Sequence, residues 1–209
     1  MHKRHVLLPF VALLAAATLT SGCVAGGGTA PAGSVPIMGQ SDLTSAQIVA
    51  FFNANKPADG PYLTVSINTL AGYFTSEGNA QNVRGDIAFA QSLVETGWFR
   101  YGGQVSWTQN NFSGLGACDT CTGGAVFPDA RTGVRAQIQH LYAYADPKAS
   151  RAGLAHPLVD PRFDMVSPKG KCPTWNQMGN GNWATSKTYA SAVLSTYNRM
   201  RTYNGLPPV

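Results

Sequence analysis

Ile87 to Gly97 reads IAFAQSLVETG, and this run specifies both a buried helix and the position of one carboxylate. Ile87, Ala90 and Val94 recur at helical spacing, and Phe89 with Leu93 forms a second apolar row. A helix patterned in this way buries most of its surface. Glu95 is its only acid after Asp86. Gly97 stands where a C-terminal cap belongs, which puts Glu95 in the last turn, beside the partial negative end of the helix dipole. Dipole and apolar neighbours both disfavour the charged form. A carboxyl group kept protonated near neutral pH is what a general acid requires, so Glu95 is the leading catalytic candidate.

The chain continues through Trp98, Phe99, Tyr101, Gly102 and Gly103 to Gln109, Asn110, Asn111, Phe112, Ser113, Gly114, Leu115 and Gly116. Rings stack on pyranose faces, amides bond hydroxyls and acetamides, and glycines let backbone approach a ligand closely. A sugar-binding groove is therefore expected, with Gln91, Trp98, Asn110, Asn111, Phe112, Gly114 and the later Trp183 as substrate-binding candidates. Trp183 has two readings, stacking on sugar or packing in the core.

Four segments, AFAQSLVETGWF (88–99), QNNFSGLGA (109–117), FPDARTGVRAQIQHLYAYA (127–145) and NWATSKTYASAVLSTYNRM (182–200), resemble the successive blocks of bacterial glucosaminidase domains. These are peptidoglycan hydrolases with a lysozyme-like fold. The resemblance covers about residues 44–204. It implies a mainly α, lysozyme-like α+β architecture: a helical domain with a small irregular or β lobe lining the substrate groove. It also implies cleavage of the β-1,4 bond between N-acetylglucosamine and N-acetylmuramic acid, peptidoglycan glycan strands as partner, and no cofactor or metal. The family places a tyrosine near its catalytic acid, and Tyr189 matches it, so its hydroxyl is expected to orient a substrate acetamide or the attacking water. Family members often show WATDPNY where residues 183–189 read WATSKTY. Ser186 and Lys187 replace the Asp and Pro, which puts a carboxylate role there in doubt.

Elsewhere the pattern is also helical. Thr44 with Gln47 has the form of a capping box, followed by Ile48, Phe51 and Phe52 in a helix that should end before Pro57. A second helix is expected over 65–77 with Ile67, Leu70, Ala71 and Phe74 inward. Residues 102–128 form a Gly, Asn and Cys rich stretch with little periodicity, and long ordered loops are usually functional. A helix resumes near Arg131, carrying Val134, Ile138, Leu141 and Ala145 on one face, and ends at Pro147. A last helix is expected over 187–203, with Tyr189, Val193, Leu194 and Tyr197 inward. A monomer is expected.

The amino terminus reads as an export leader: Met1 to His5 is basic, and Val6 to Thr18 is apolar but too short to span a bilayer. Leu19 to Cys23, LTSGC, resembles a lipoprotein cleavage site, although Thr20 stands where that pattern most often has Leu. Residues 1–22 are thus read as signal peptide, 23–40 as a Gly/Ala/Pro/Ser tether, and 41–206 as the catalytic domain. Localisation follows as the cell envelope, with lipid on Cys23 facing the wall and the membrane touched only through that lipid. The alternative is a secretory signal cut near Ala25. The net charge of +5 falls by two, to +3, when Lys3 and Arg4 leave with the leader, so nothing points to nucleic acid.

Of the other cysteines, Cys118 and Cys121 are close enough for a local disulfide, and Cys172 can replace either partner if near in space. A zinc site with His156 or His140 matches no recognised spacing. Glycoside hydrolysis normally uses two carboxyl groups. Asp119 is the candidate second carboxylate; Asp129 is better read as a helix cap. The alternatives to a glucosaminidase are a lytic transglycosylase or muramidase, whose usual Glu-Ser is Glu-Thr here, and, further off, a non-catalytic cell-wall glycan-binding lipoprotein.

Overall fold

A computed structural model of the chain describes residues 33–117 and 123–209. Its architecture is mainly helical, with five α-helices: α1 (Ser45–Asn55), α2 (Ile67–Gln81), α3 (Gly85–Glu95), α4 (Ala130–Ala145) and α5 (Tyr189–Tyr203). Single turns of tighter helix at Trp107–Gln109, Arg151–Gly153, Phe163–Met165 and Trp175–Gln177 interrupt the connections. None of the described helices is long and apolar enough to cross a membrane.

Helix α3 is the central element, packed between α2 and α5 and touching α4. Every residue from Gly85 to Leu93 is buried. Phe89 meets Phe74 edge to face at 5.5 Å and also contacts Phe52 and Phe99. Burying Ile87, Phe89 and Leu93 contributes roughly 1.5–3 kcal/mol each. The close approach of α2 requires glycine, because a Cβ on Gly85 would lie 2.0 Å from the Phe74 carbonyl oxygen.

The expected caps form. Thr44 accepts from the Gln47 amide while Gln47 accepts from the Thr44 amide, completing the box that starts α1. Asp129 accepts from the Thr132 amide at 2.8 Å and starts α4. At the end of α3 the Trp98 amide reaches back to the Leu93 carbonyl at 2.8 Å, with Gly97 left-handed at φ +58. This is the Schellman closure that glycine favours. The turn goes further than glycine alone explains: Trp98, Phe99 and Tyr101 are also left-handed. Bulky residues adopt that conformation only where surrounding contacts impose it. Here the Tyr62 amide bonds the Phe99 carbonyl, the Tyr101 amide bonds the Thr96 carbonyl, and the Thr96 hydroxyl receives the Phe99 amide.

One expectation is corrected. The folded body begins before residue 41: Val35 and Ile37 are buried, the Ile37 amide bonds the Pro173 carbonyl, and the Arg84 amide bonds the Ile37 carbonyl. Apolar side chains at alternate positions, not composition, decide where the tether stops. Of the two forms expected for the lobe between α3 and α4, the described residues show the irregular one, and their β pairing is limited to isolated bridges of Pro36 with Thr174 and Met38 with Val83. The described part of 102–128 is irregular and held by side chains. Asn111 donates to the Leu115 and Ala125 carbonyls and accepts from the Leu115 amide.

At the other end of α3, Asp86 is fully buried and accepts from the Asp42 and Leu43 amides and from the Tyr197 hydroxyl. Arg84 and Arg201 both pair with Asp42, joining α3 to α5. Glu77 is likewise buried. Burial pushes its pKa up, but hydrogen bonds from Arg135 and Arg131 more than offset this, and the group stays ionised.

Candidate active site

Because α3 and α5 run antiparallel, the last residue of one meets the first residue of the other. Tyr189 donates to Oε1 of Glu95 at 2.5 Å, and the indole Nε1 of Trp183 donates to the same oxygen at 2.9 Å. Oε2 faces the loop at Gly114, where a Cβ would lie 3.9 Å away; with φ +67 the site suits glycine. Among the described residues, no donor reaches Oε2.

Glu95 retains partial exposure although protein surrounds its carboxyl group. Burial raises its pKa to about 7, against the two hydrogen bonds, which favour the carboxylate. The Tyr189 hydroxyl is pushed well above 10, first by burial and then by the Glu95 charge, so it remains a donor. The result is a carboxyl group that takes up a proton near neutral pH beside Gly114, with two fixed donors ready to stabilise the anion after transfer.

Trp183 is set by α4. Its ring lies 5.2 Å from His140 and 5.4 Å from Tyr144, while Tyr144 donates to the Asn182 carbonyl at 3.0 Å. His140 is in turn held by Asp160 at 2.7 Å through Nδ1. The half-buried Trp183 ring packs against His140 and Tyr144, and it makes a hydrogen bond to the Glu95 carboxyl group that sequence reasoning missed. His140, Tyr144, Asp160 and Gln137 were missed too. The signal for His140, Tyr144 and Gln137 was polar residues at inward positions of QIQHLYAY, overshadowed by the apolar stripe Val134, Ile138, Leu141 and Ala145; Asp160 lies outside that segment.

Several expected sugar contacts are corrected. Phe112 is 2% exposed and packs on Phe74 and Phe99, so no pyranose reaches its face. The Asn110 amide is spent on Thr64 and the Phe127 carbonyl, and that of Asn111 on the loop. Both residues are buried. Gln91 is wholly buried and donates to the Tyr189 oxygen at 2.8 Å. Trp98 packs against Phe51 and Phe52 with the Arg199 guanidinium 5.7 Å over its ring, so it serves the α1–α5 contact. Amide and aromatic residues suit both sugar and loop backbone, which is why the sequence did not separate them. Tyr189 points its proton at Glu95. Gly114 lies beside the Glu95 carboxyl group.

Cys23, Cys118, Asp119 and Cys121 lie outside the described residues. The eight other described acids are engaged elsewhere: Asp42, Asp59, Glu77 and Asp164 with arginines, Asp86 with Tyr197, Asp160 with His140, and Asp129 and Asp146 with backbone amides. No cluster able to hold a metal ion occurs among the described residues.

Comparison with known proteins bears on the family of the chain. An uncharacterized protein of Borreliella burgdorferi is 38% identical over 138 residues, which is 66% of this chain and 65% of that protein, so the chain spans just under two thirds of its relative's length. No solved structure matches the chain. The glucosaminidase family model, described as mannosyl-glycoprotein endo-beta-N-acetylglucosaminidase, matches residues 71–202, a span running from α2 to α5 through Glu95, Gly114, Trp183 and Tyr189. This chain belongs to the glucosaminidase family.

Proposed function

We propose that the protein is a peptidoglycan hydrolase that cleaves the β-1,4 bond between N-acetylglucosamine and N-acetylmuramic acid, with Glu95 as general acid. The observation that carries this reading is the asymmetric carboxyl group: two donors on Oε1, no donor on Oε2 among the described residues, and a pKa raised to about 7. In the reaction Oε2–H protonates the leaving oxygen, the C1–O bond breaks, and positive charge develops on the sugar ring. Tyr189 and Trp183 stabilise the carboxylate that remains. Water supplies the hydroxyl group at C1, and its other proton returns to Glu95. The second group is a substrate acetamide or Asp119, since the other described acids are engaged elsewhere.

The same single-acid arrangement favours a second reading, a lytic transglycosylase, which uses an internal hydroxyl in place of water. Digestion of purified peptidoglycan followed by mass spectrometry of the muropeptides separates the two. Reducing N-acetylglucosamine ends support the glucosaminidase; anhydro ends support the transglycosylase; undigested wall refutes both.

The envelope location belongs to this proposal. Lipid on Cys23 would hold the domain at a membrane, with the following residues as tether. Cys23→Ser should move the protein into the soluble extracytoplasmic fraction with unchanged activity of the isolated domain. An unmodified mature N-terminus beyond Cys23 would refute the anchor and leave the enzyme assignment intact.

A further inference from the structure

Behind Tyr189 lies a buried chain of amides whose direction is set by one backbone carbonyl. Gln137, on α4, donates from Nε2 to the Ala88 carbonyl at 3.1 Å and to Oε1 of Gln91 at 2.8 Å. Its own Oε1 accepts from the Ser92 hydroxyl at 3.0 Å. Gln91 then donates from Nε2 to the Tyr189 oxygen at 2.8 Å, and Tyr189 donates to Oε1 of Glu95. Gln91, Ser92 and Gln137 are all fully buried, so water cannot substitute for any link.

The order of donors admits no reversal. A carbonyl only accepts, so Ala88 requires the nitrogen of Gln137 on its side, and Gln137 thereby requires the oxygen of Gln91. Gln91 must present its nitrogen to Tyr189, whose single proton is left to point at Glu95. With Oε1 receiving that proton and the Trp183 indole, the acid proton of Glu95 resides on Oε2, the oxygen beside Gly114. We propose that Gln137 is a positioning residue that acts through Gln91 to fix the Tyr189 hydroxyl, and so assigns the transferable proton of Glu95 to the oxygen facing the groove.

This rests on Glu95 as the acid, and the test reads the proton directly. In the full chain, the Glu95 side-chain carboxyl is followed by carbon NMR against pH in wild type, Gln137→Met and Gln91→Met, each with and without Tyr189→Phe. A hydroxyl that accepts a hydrogen bond is a stronger donor, so losing the amide chain weakens the bond to the carboxylate. Each single substitution should raise the Glu95 midpoint by roughly half a pH unit, and the alkaline limb of kcat/KM should move with it. In the Tyr189→Phe background the same substitutions should produce no further shift. An unmoved midpoint in a folded single variant, or an equal shift without the Tyr189 hydroxyl, would overturn the proposal. If Gln137→Met fails to fold, Gln91→Met carries the test. Absence of wall hydrolysis by wild type would refute the enzyme reading, while the titration would still decide the amide chain.

Discussion

The Tyr189 hydroxyl and the Glu95 carboxyl group lie 2.5 Å apart although ninety-four positions separate them in the chain. One hydrogen bond thus joins the end of α3 to the start of α5, and it orients the acid. The Trp183 indole, held against α4, shares the same carboxyl oxygen.

Glu95→Gln preserves an oxygen for both donors but removes the transferable proton. Wall hydrolysis should fall by at least about a hundredfold, with circular dichroism unchanged. Turnover near wild type would refute the acid assignment.

Stability should respond to the same change in the opposite sense. Burial raises the folded Glu95 pKa to about 7 from an ordinary value of 4.5, so the unfolded chain ionises first as pH rises. Wild type therefore loses stability between those values and carries a constant penalty above pH 7. Glu95→Gln should be more stable than wild type by about 1–3 kcal/mol above pH 7, with no difference below pH 4.5. Urea unfolding at both extremes measures this.

Activity should need protonated Glu95 in the free enzyme, so kcat/KM should decline above about pH 7. Tyr189→Phe and Trp183→Phe each remove a donor that favours the carboxylate. In both variants the alkaline limb should shift to higher pH while the plateau rate falls about ten- to a hundredfold. A limb moving to lower pH would contradict the role of these donors.

The far end of α3 supplies a control for stability alone. Tyr197→Phe removes the hydroxyl that donates to buried Asp86 at 2.7 Å and should destabilise by about 1–3 kcal/mol. Its kcat/KM pH profile should match wild type, which thermal unfolding and kinetics together check.

A Cβ on Gly133 would sit 1.8 Å from the Asn110 carbonyl oxygen, where α4 meets the loop leading to Gly114. Gly133→Ala should destabilise by about 2–4 kcal/mol, because a backbone must move to admit it. An unfolding midpoint within error of wild type would show that this contact is looser than described.

Sequence alone determined the helices and the position of the Glu95 carboxyl group along α3, because both depend on local rules. The spacing in IAFAQSLVETG buries α3, Gly97 closes it, and these place Glu95 in the final turn. Thr44 and Asp129 cap as their side chains require. Tertiary structure alone decided what surrounds the carboxyl group. That Phe112 is core, that Asn110 and Asn111 hold the loop, and that Gln91 supports Tyr189 depend on which partners the packing of the helices and the intervening loop brings within hydrogen-bond reach. Amides and rings satisfy protein and sugar equally well, so residue type leaves their partner open until the fold supplies one.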